Sequence, residues 1–285
     1  MTIKIVTDST SYISEVLKKK YDISIVSLSV IFGNEEHKEI NIENETFYKK
    51  LGESMITPTS SQPSLDEMYN VLEKQVMNNN QVVGVFLSSD MSGTYSNACL
   101  AKSMILEKYP NALIEIIDSR SNCMQLGFAV LTAAKAAQKE KSIVQVVELV
   151  KENVKRSRFL FIPDTLAYLK KGGRIGGASA LLGTIFQIKP ILTVIDGKTE
   201  LFLKVRTKKR AIQTMVDKFI EDITKNGLGE VMIHHINDVE GALAFAKIIE
   251  KCIGKKVEIA PIGPVIGTHV GPGALGIVYY TERDL

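Results

Sequence analysis

Two short apolar runs in the first half of the chain constrain its fold more than any other feature. Residues 82–87 are continuously apolar, and residues 112–117 contain only one charged side chain, Glu115. Runs of this kind are typical of parallel strands buried on both faces of a sheet. A polar loop and a helix-like stretch follow each of them, at about 94–109 and 122–139. This alternation predicts a parallel α/β sheet with polar loops at the carboxyl ends of its strands.

The first 60 residues extend the same pattern less regularly. Residues 3–6 and 23–31 resemble strands, and the polar cluster at 7–10 is expected to cap a helix that ends near Lys20. Residues 33–58 are polar and irregular. We interpret them as a small insertion in the first domain.

Two local signals mark a helix start and a hairpin. Ser64 followed by Glu67 forms a capping box, which predicts a helix through about residue 78. Asp196-Gly197 lies between two strand-like runs, a pattern that favours a tight β-hairpin. The hairpin shows that the second half is organised differently from the first.

The second half mixes hairpins with long helices. Further helices are expected near 207–225 and 238–252, and further strands near 229–235, 256–262 and 275–281. We therefore predict an α/β protein of two domains. Residues 1–156 would form a parallel-sheet, Rossmann-like domain with the insertion at about 33–58, and residues 157–285 an α+β domain with a mixed sheet.

The composition is that of an ordinary globular protein. The 285 residues carry a formal net charge of +3, and aromatic residues do not interleave with the basic ones, so we expect no nucleic-acid partner. No apolar stretch approaches the ~18 residues of a membrane span, and the amino-terminal residues lack the apolar core of a signal peptide. We expect a cytoplasmic protein. Three distant cysteines without a Cys-x-x-Cys pair favour free thiols, and we expect neither a metal nor a cofactor.

One segment formally matches a dinucleotide fingerprint. Gly271, Gly273 and Gly276 have the spacing G-x-G-x-x-G, which should follow a strand and open a helix. Pro272 has no N–H to offer a pyrophosphate, and Gly276 precedes a strand-like run. We reject the nucleotide interpretation, which leaves His269 beside a glycine-rich turn.

Two other polar loops suit an anion. Ser60 and Ser61 precede the helix that Ser64 caps, while Ser92 and Gly93 stand between a buried strand and a helix. Helix starts present unpaired N–H groups at the positive end of the helix dipole. Serine hydroxyls can donate to an oxyanion, and a glycine lets a ligand approach the backbone. Capping alone would explain each loop taken singly.

Taken together, these segments resemble the DegV family of bacterial fatty-acid-binding proteins across essentially the whole chain. The matching segments are Thr7-Asp8-Ser9, Ser61-Gln62-Pro63-Ser64, Ser92-Gly93-Thr94-Tyr95, Asp118-Ser119, Asp164-Thr165-Leu166, Lys171-Gly172-Gly173-Arg174-Ile175, Lys189-Pro190-Ile191 and His269-Val270-Gly271-Pro272-Gly273. The family usually has threonine at the position of Ser60. Serine keeps the hydroxyl but lacks the methyl group that restricts its rotamer.

The resemblance implies a protein that binds one long-chain fatty acid between its domains and is not itself an enzyme. It places the carboxylate near Ser60, Ser61, Ser92, Gly93 and His269. It also implies that the fatty acid is presented to a separate fatty acid kinase, which forms an acyl phosphate for phospholipid synthesis.

The same resemblance suggests roles for one arginine in each of two basic segments. Arg174 follows Lys170-Lys171-Gly172-Gly173, and Arg206 lies in a cluster with Lys204, Lys208, Lys209 and Arg210. Solvated basic surfaces would explain both. In the family reading, Arg174 contacts the head group or its phosphoryl acceptor, because guanidinium suits phosphate. Arg206 would contact the kinase, and a transient contact with a membrane surface is left open.

The acyl chain requires a long apolar tunnel, because each buried methylene contributes about 0.8 kcal/mol. Two helix-like stretches, 122–137 and 175–188, mix small and large apolar residues and are candidate walls. Plain core packing would give the same pattern, so no wall residue is assigned.

Two other functions are weighed against the carrier. In a hydrolase or acyl-transfer enzyme, Ser92 would be the nucleophile and His269 the base, with Asp8 or Asp118 orienting the histidine. The chain lacks the G-x-S-x-G elbow of many such enzymes. A regulatory or interaction module without a small ligand is the third possibility.

Overall fold

The computed structural model describes residues 2–54, 57–181 and 188–285, and the chain divides into two compact units. The first unit comprises Met1–Asn41 and Ser60–Val154, and the second comprises Ile42–Thr59 and Lys155–Leu285. The expectation of a two-domain α/β fold, with a parallel sheet in one part and a mixed sheet in the other, is confirmed.

The described residues form strands and α-helices in both units. The strands are β1 (Ile3–Asp8), β2 (Ser24–Val26), β3 (Ser29–Phe32), β4 (Glu35–Lys38), β5 (Thr59–Ser61), β6 (Gln81–Phe86), β7 (Ile114–Asp118), β8 (Ser157–Ile162), β9 (Lys189–Ile195), β10 (Lys198–Val205), β11 (Glu230–His235), β12 (Glu258–Pro261) and β13 (Leu275–Tyr280). The helices are α1 (Glu15–Tyr21), α2 (Asn44–Glu53), α3 (Leu65–Met77), α4 (Thr94–Lys108), α5 (Cys123–Gln138), α6 (Ile143–Lys155), α7 (Ala167–Lys171), α8 (Lys208–Asn226), α9 (Val239–Ile253) and α10 (Pro264–Val270).

The first unit is built on a parallel sheet. Within the described residues its strand order is β2-β1-β6-β7, with every pairing parallel. Every residue of β6 after Gln81 is buried, as the continuous apolar run predicts. Met68 of α3 and Ala101 of α4 share one hydrophobic cluster with Val6 and Phe86 of the sheet. α5 packs on β1 and β6 and is apolar on nearly every side, which is typical of a helix enclosed by protein.

The second unit is built on a mixed sheet. Among the residues that the structure covers, the order is β10-β9-β8-β13-β11-β12, and only β11 and β12 run parallel. Met215 and Phe219 of α8 and Phe245 of α9 share one core with Leu160 and Ile277 of the sheet. The sheet therefore takes its hydrophobic core largely from two long helices.

Both local signals in the sequence are confirmed. The Ser64 hydroxyl accepts from Glu67 N at 3.2 Å, and the Glu67 carboxylate accepts from Ser64 N at 3.0 Å, so the capping box is complete. Asp196 and Gly197 have φ angles of 48° and 80°, and the antiparallel pair β9–β10 closes on them. Two consecutive left-handed residues are what a type I′ hairpin turn requires.

The segment expected as one strand at 23–31 is divided into β2 and β3. Within the described chain β3 joins β4 and β5 in a separate three-stranded sheet rather than the parallel one. The division occurs at Ser27 and Leu28, where the Leu28 N–H donates to Ser9 Oγ at 3.1 Å instead of to a neighbouring strand. A side chain distant in sequence therefore ends β2.

The described part of residues 33–58 is more ordered than its polar composition suggests. It contains β4 and α2, and residues 42–59 group with the second unit. Phe47 and Tyr48 of α2 are buried, and the Tyr48 hydroxyl donates to the Ile262 carbonyl at 2.9 Å. These aromatic side chains anchor a segment that local pattern assigns to the first domain.

Two expected helices have different limits. The cluster at 7–10 caps only a 3-10 turn, Ser9–Ser11, and Ser14 caps α1 instead. In the expected helix at 175–188, residues Gly176–Leu181 form a 3-10 helix. Three apolar residues of that stretch, Leu182, Ile185 and Phe186, lie outside the described residues.

Candidate functional site

The loops that follow β1 and β6 are joined by a buried carboxylate. Asp8 Oδ1 accepts from the amide and hydroxyl of Thr10 at 2.9 and 2.5 Å, and Oδ2 accepts from Leu87 N at 2.8 Å. Burial raises the pKa of Asp8 to about 6, although these hydrogen bonds act in the opposite direction. Asp8 thus holds two loops together at the carboxyl edge of the parallel sheet.

A second carboxylate joins the loops that follow β6 and β7. Asp118 accepts from the Ser89 hydroxyl at 2.6 Å and from Arg120 N at 2.8 Å. The Arg120 guanidinium also pairs with Asp90 at 2.6 Å. Both carboxylates considered for orienting a catalytic histidine, Asp8 and Asp118, therefore accept hydrogen bonds from the loops that they join. This arrangement gives no support to the hydrolase alternative.

Ser92 and Gly93 lie in the loop between β6 and α4. Ser92 Oγ is 2.9 Å from Thr94 Oγ1, and Gly93 is the N-cap residue of α4 without a side-chain cap. A Cβ at Gly93 would overlap Oε1 of Gln62. Glycine is therefore needed here for the approach of Gln62, whereas the sequence suggested the approach of a ligand.

The loop that follows Ser60 and Ser61 and precedes α3 packs against the start of α4 at Gly93. Ser60 and Ser61 are partly buried in β5. The Asn97 side chain donates to the Pro63 carbonyl at 2.9 Å, and Gln62 reaches Gly93. Gln62 and Pro63, which directly follow Ser60 and Ser61, therefore contact the start of α4, which directly follows Ser92 and Gly93.

In the second unit, His269 packs on the glycine-rich loop that follows α7. A Cβ at Gly172 would overlap Nδ1 of His269. The Arg174 guanidinium donates to the Gly172 carbonyl at 2.7 Å, which keeps its charge close to the imidazole. Burial, and secondarily the charge of Arg174, lowers the pKa of His269 to about 4. The imidazole is therefore neutral at pH 7.

The turn after His269 packs against the segment that leads into α7. Gly271 and Gly273 have φ angles of 83° and 85°, which favour glycine. Tyr168 occupies the space where a Gly271 side chain would lie, and Asp164 Cβ would be 3.1 Å from a Cβ at Gly273. Family segments separated by about 100 residues thus meet in this unit.

Arg206 lies elsewhere in the second unit. It is exposed between β10 and α8, after the end of β10 that is farther from the hairpin. Thr199, near the hairpin end, packs against Gly176 of the 3-10 helix that follows Arg174. Since a strand rises about 3.3 Å per residue, Arg206 lies roughly 20 Å along β10 from that contact. The two arginines therefore lie apart within this unit.

Two contacts in these loops could not be predicted from the amino-acid sequence. Gln62 is quoted within a motif but nothing in its spacing shows that it faces Gly93. Gly172 and Gly173 are equivalent as loop residues in the sequence, yet a Cβ at Gly172 would overlap His269, while a Cβ at Gly173 would meet open space. The sequence indicated only that a pair of glycines lies in this loop. Tertiary packing decides which of the two lies against the His269 ring.

We also searched the described residues for binding sites away from these loops. A cavity of about 610 Å³ lies at the opposite, amino edge of the parallel sheet, where Ile3 and Gln81 begin β1 and β6. It is therefore distinct from the loop containing Ser92. In the three described stretches no cluster of three or more His, Cys, Asp or Glu residues could hold a metal ion. No helix in them is long and apolar enough to cross a bilayer.

Comparison with known proteins gives matches over nearly the whole chain. The model of the DegV family, described as an uncharacterised protein family, matches residues 2–282. A DegV domain-containing protein of Clostridium acetobutylicum is 54% identical over 285 residues, covering 100% of both chains. The crystal structure of DegV from Bacillus subtilis, titled a fatty acid binding protein, has a TM-score of 0.89 at 32% identity and 99% coverage of both chains. A stearic acid-binding protein of Eubacterium ventriosum has a TM-score of 0.91 at 26% identity and 98% coverage of both.

Proposed function

The chain belongs to the DegV family, and from that premise we propose that it binds a single long-chain fatty acid in a buried tunnel. The observation that carries this proposal is its similarity, over almost the full length, to solved structures described as binding fatty acids. The polar loops around Ser92 and His269 carry hydrogen-bond donors of the kind that an acidic head group needs.

The head group is the part of the ligand for which residues can be named. We assign carboxylate binding to Ser60, Ser61, Ser92, Gly93 and His269. Serine hydroxyls donate to carboxylate oxygens, and a neutral imidazole retains one N–H donor. A carboxylate removed from water without such donors loses several kcal/mol of solvation, so these donors orient the ligand and prevent that loss.

The acyl chain supplies most of the binding free energy. Fifteen methylenes at about 0.8 kcal/mol each give roughly 12 kcal/mol before the costs of association. α5 is a suitable wall because its apolar side chains include both small and large residues, among them Ala133 and Phe128. A helix that is apolar on most sides can contribute one side to the core and another to an alkyl chain.

We assign to the protein the role of a carrier rather than a catalyst. A separate fatty acid kinase would transfer a phosphoryl group to the bound carboxylate, and the acyl phosphate would enter phospholipid synthesis. Arg174, whose charge lies close to His269, suits the incoming phosphoryl group. Arg206, exposed on another surface, suits contact with the kinase.

Lipid analysis of the purified protein tests the proposal. Solvent extraction and mass spectrometry should find about one fatty acid per chain, and delipidated protein should take up added fatty acid. His269→Ala and Ser92→Ala should each weaken that binding by roughly 1–3 kcal/mol, the range for a hydrogen bond to a charged group. An empty protein that takes up no fatty acid would exclude the proposal. Hydrolysis of acyl esters that disappears in Ser92→Ala would favour the enzyme instead.

A further inference from the structure

The start of α5 has an N-cap residue that does not cap. Asn122 has the extended backbone typical of an N-cap, with φ −150° and ψ −175°, but its side chain makes no capping hydrogen bond. Asparagine is among the best N-cap residues because its Oδ1 normally accepts from the first turn. Here Oδ1 has no hydrogen-bond partner among the described residues, and only 8% of Asn122 is exposed. A buried acceptor in this state is costly.

The other end of the same amide makes a weak bond. Asn122 Nδ2 donates to the sulfur of Met91 at 3.1 Å, and a thioether is a poor acceptor. One carboxamide thus has an unused acceptor and a weakly used donor.

Asn122 lies beside the loop that contains Ser92. The Ser88 N–H donates to the Ser121 carbonyl at 2.8 Å, and Met91 and Ser92 both donate through their N–H groups to the Ser88 carbonyl, at 3.0 and 3.1 Å. Met91, which Asn122 contacts, directly precedes Ser92. The start of α5 and the Ser92 loop therefore run side by side at the carboxyl edge of the parallel sheet.

From this geometry we propose that Asn122 is a further head-group residue, whose Nδ2 leaves Met91 to donate to the ligand carboxylate while Oδ1 caps the first turn of α5. The inference rests on the proposed fatty acid binding and adds a residue to that site. The exchange replaces an N–H···S contact by a charge-assisted hydrogen bond. It also gives the buried acceptor a partner and brings the anion to the positive end of a 16-residue helix.

Two substitutions separate this role from capping. Asn122→Asp keeps an oxygen that can cap α5 but removes the donor and adds a negative charge, so carboxylate binding should weaken. Asn122→Ser also keeps a capping oxygen but is too short to donate to the ligand. Asn111→Asp makes the same charge change on an exposed turn before β7, at the opposite edge of the sheet, and serves as the matched control.

The measurement compares two ligands of equal chain length, hexadecanoic acid and hexadecan-1-ol, bound to the delipidated full-length chain. Asn122→Asp should weaken binding of the acid roughly tenfold or more at neutral pH, and Asn122→Ser several-fold. Affinity for the alcohol should be nearly unchanged in both, and Asn111→Asp should resemble the wild type with either ligand.

The outcomes distinguish the two proposals. If the wild type prefers the acid and His269→Ala weakens it, but both Asn122 variants bind the acid like the wild type, the role of Asn122 is wrong and fatty acid binding stands. Equal weakening of acid and alcohol would make Asn122 a structural residue only. If the wild type binds neither ligand, fatty acid binding itself is wrong, and the inference fails with it. Should Asn122→Asp not fold, Asn122→Ser decides.

Discussion

The protonation of His269 is set by its neighbours rather than by its own chemistry. An imidazole with an ordinary pKa of 6.5 is brought to about 4 by burial and by the Arg174 charge. Both effects disfavour the protonated form. A bound carboxylate acts in the opposite direction because it stabilises the imidazolium. The proposed ligand should therefore raise the pKa of this one residue.

A proton should accordingly be taken up when a fatty acid binds at about pH 5.5, below the ordinary pKa of histidine. In the free protein His269 is neutral at this pH, and in the complex it becomes partly charged. By linkage, affinity should then rise as the pH falls from 7 toward 5. Calorimetric titrations in two buffers of different ionisation enthalpy measure the uptake, and His269→Gln should abolish it. Identical binding heats in both buffers for the wild type would contradict the expected role of His269.

At the level of elements, the loop after α7 and helix α10 fit together at one glycine. Gly172 has an ordinary right-handed conformation, with φ −77° and ψ −6°, so alanine is permitted by the backbone. Its added Cβ would nevertheless overlap the His269 ring. The loop therefore controls where the imidazole lies.

Gly172→Ala should displace His269 and weaken fatty acid binding about as much as His269→Ala does. The free energy of unfolding should fall by roughly 1–3 kcal/mol, because the backbone accepts alanine but the His269 ring has to move to make room for the Cβ. Gly52→Ala in α2 is the matched control, since a Cβ there meets nothing within 4 Å. It should stabilise the fold by about 0.5–1 kcal/mol and leave binding unchanged. Wild-type affinity in Gly172→Ala would show that the position of His269 does not matter.

For the whole molecule, the family segments separate into two groups, each assembled within its own unit. Those around Asp8, Ser61, Ser92 and Asp118 converge on the parallel sheet, and those around Asp164 and Gly172 pack against the turn after His269. Arg206 belongs to neither group. This separation suits the proposed carrier, which would hold a ligand while a partner acts on it.

Substituting the two arginines should separate these functions. In Arg174→Ala and Arg206→Ala the fatty acid should remain bound, while its phosphorylation by an added fatty acid kinase should fall at least several-fold, as expected when a charged contact is lost. Lys74 is exposed on α3, so Lys74→Ala removes one positive charge from the surface and should alter neither measurement. Binding is followed by lipid extraction and phosphorylation by acyl phosphate formation. Loss of the lipid in both variants would mean that the arginines hold the ligand instead.

The amino-acid sequence by itself determined the features that depend on near neighbours. The buried strand β6, the capping box at Ser64 and the hairpin at Asp196-Gly197 follow from side-chain periodicity and from backbone preferences that act within a few residues. The family follows from ordered segments, each of which is a local string. These features need no knowledge of what packs against them.

Tertiary structure decided which distant residues meet. Packing brings Gln62 against Gly93 and His269 against Gly172, and the Tyr48–Ile262 hydrogen bond helps place α2 with the second unit. Asn122 shows the same limit, because an ideal N-cap residue fails to cap α5 and contacts Met91 instead. The reason is physical: a contact between residues far apart in the chain depends on the three-dimensional course of everything between them, which no local preference encodes.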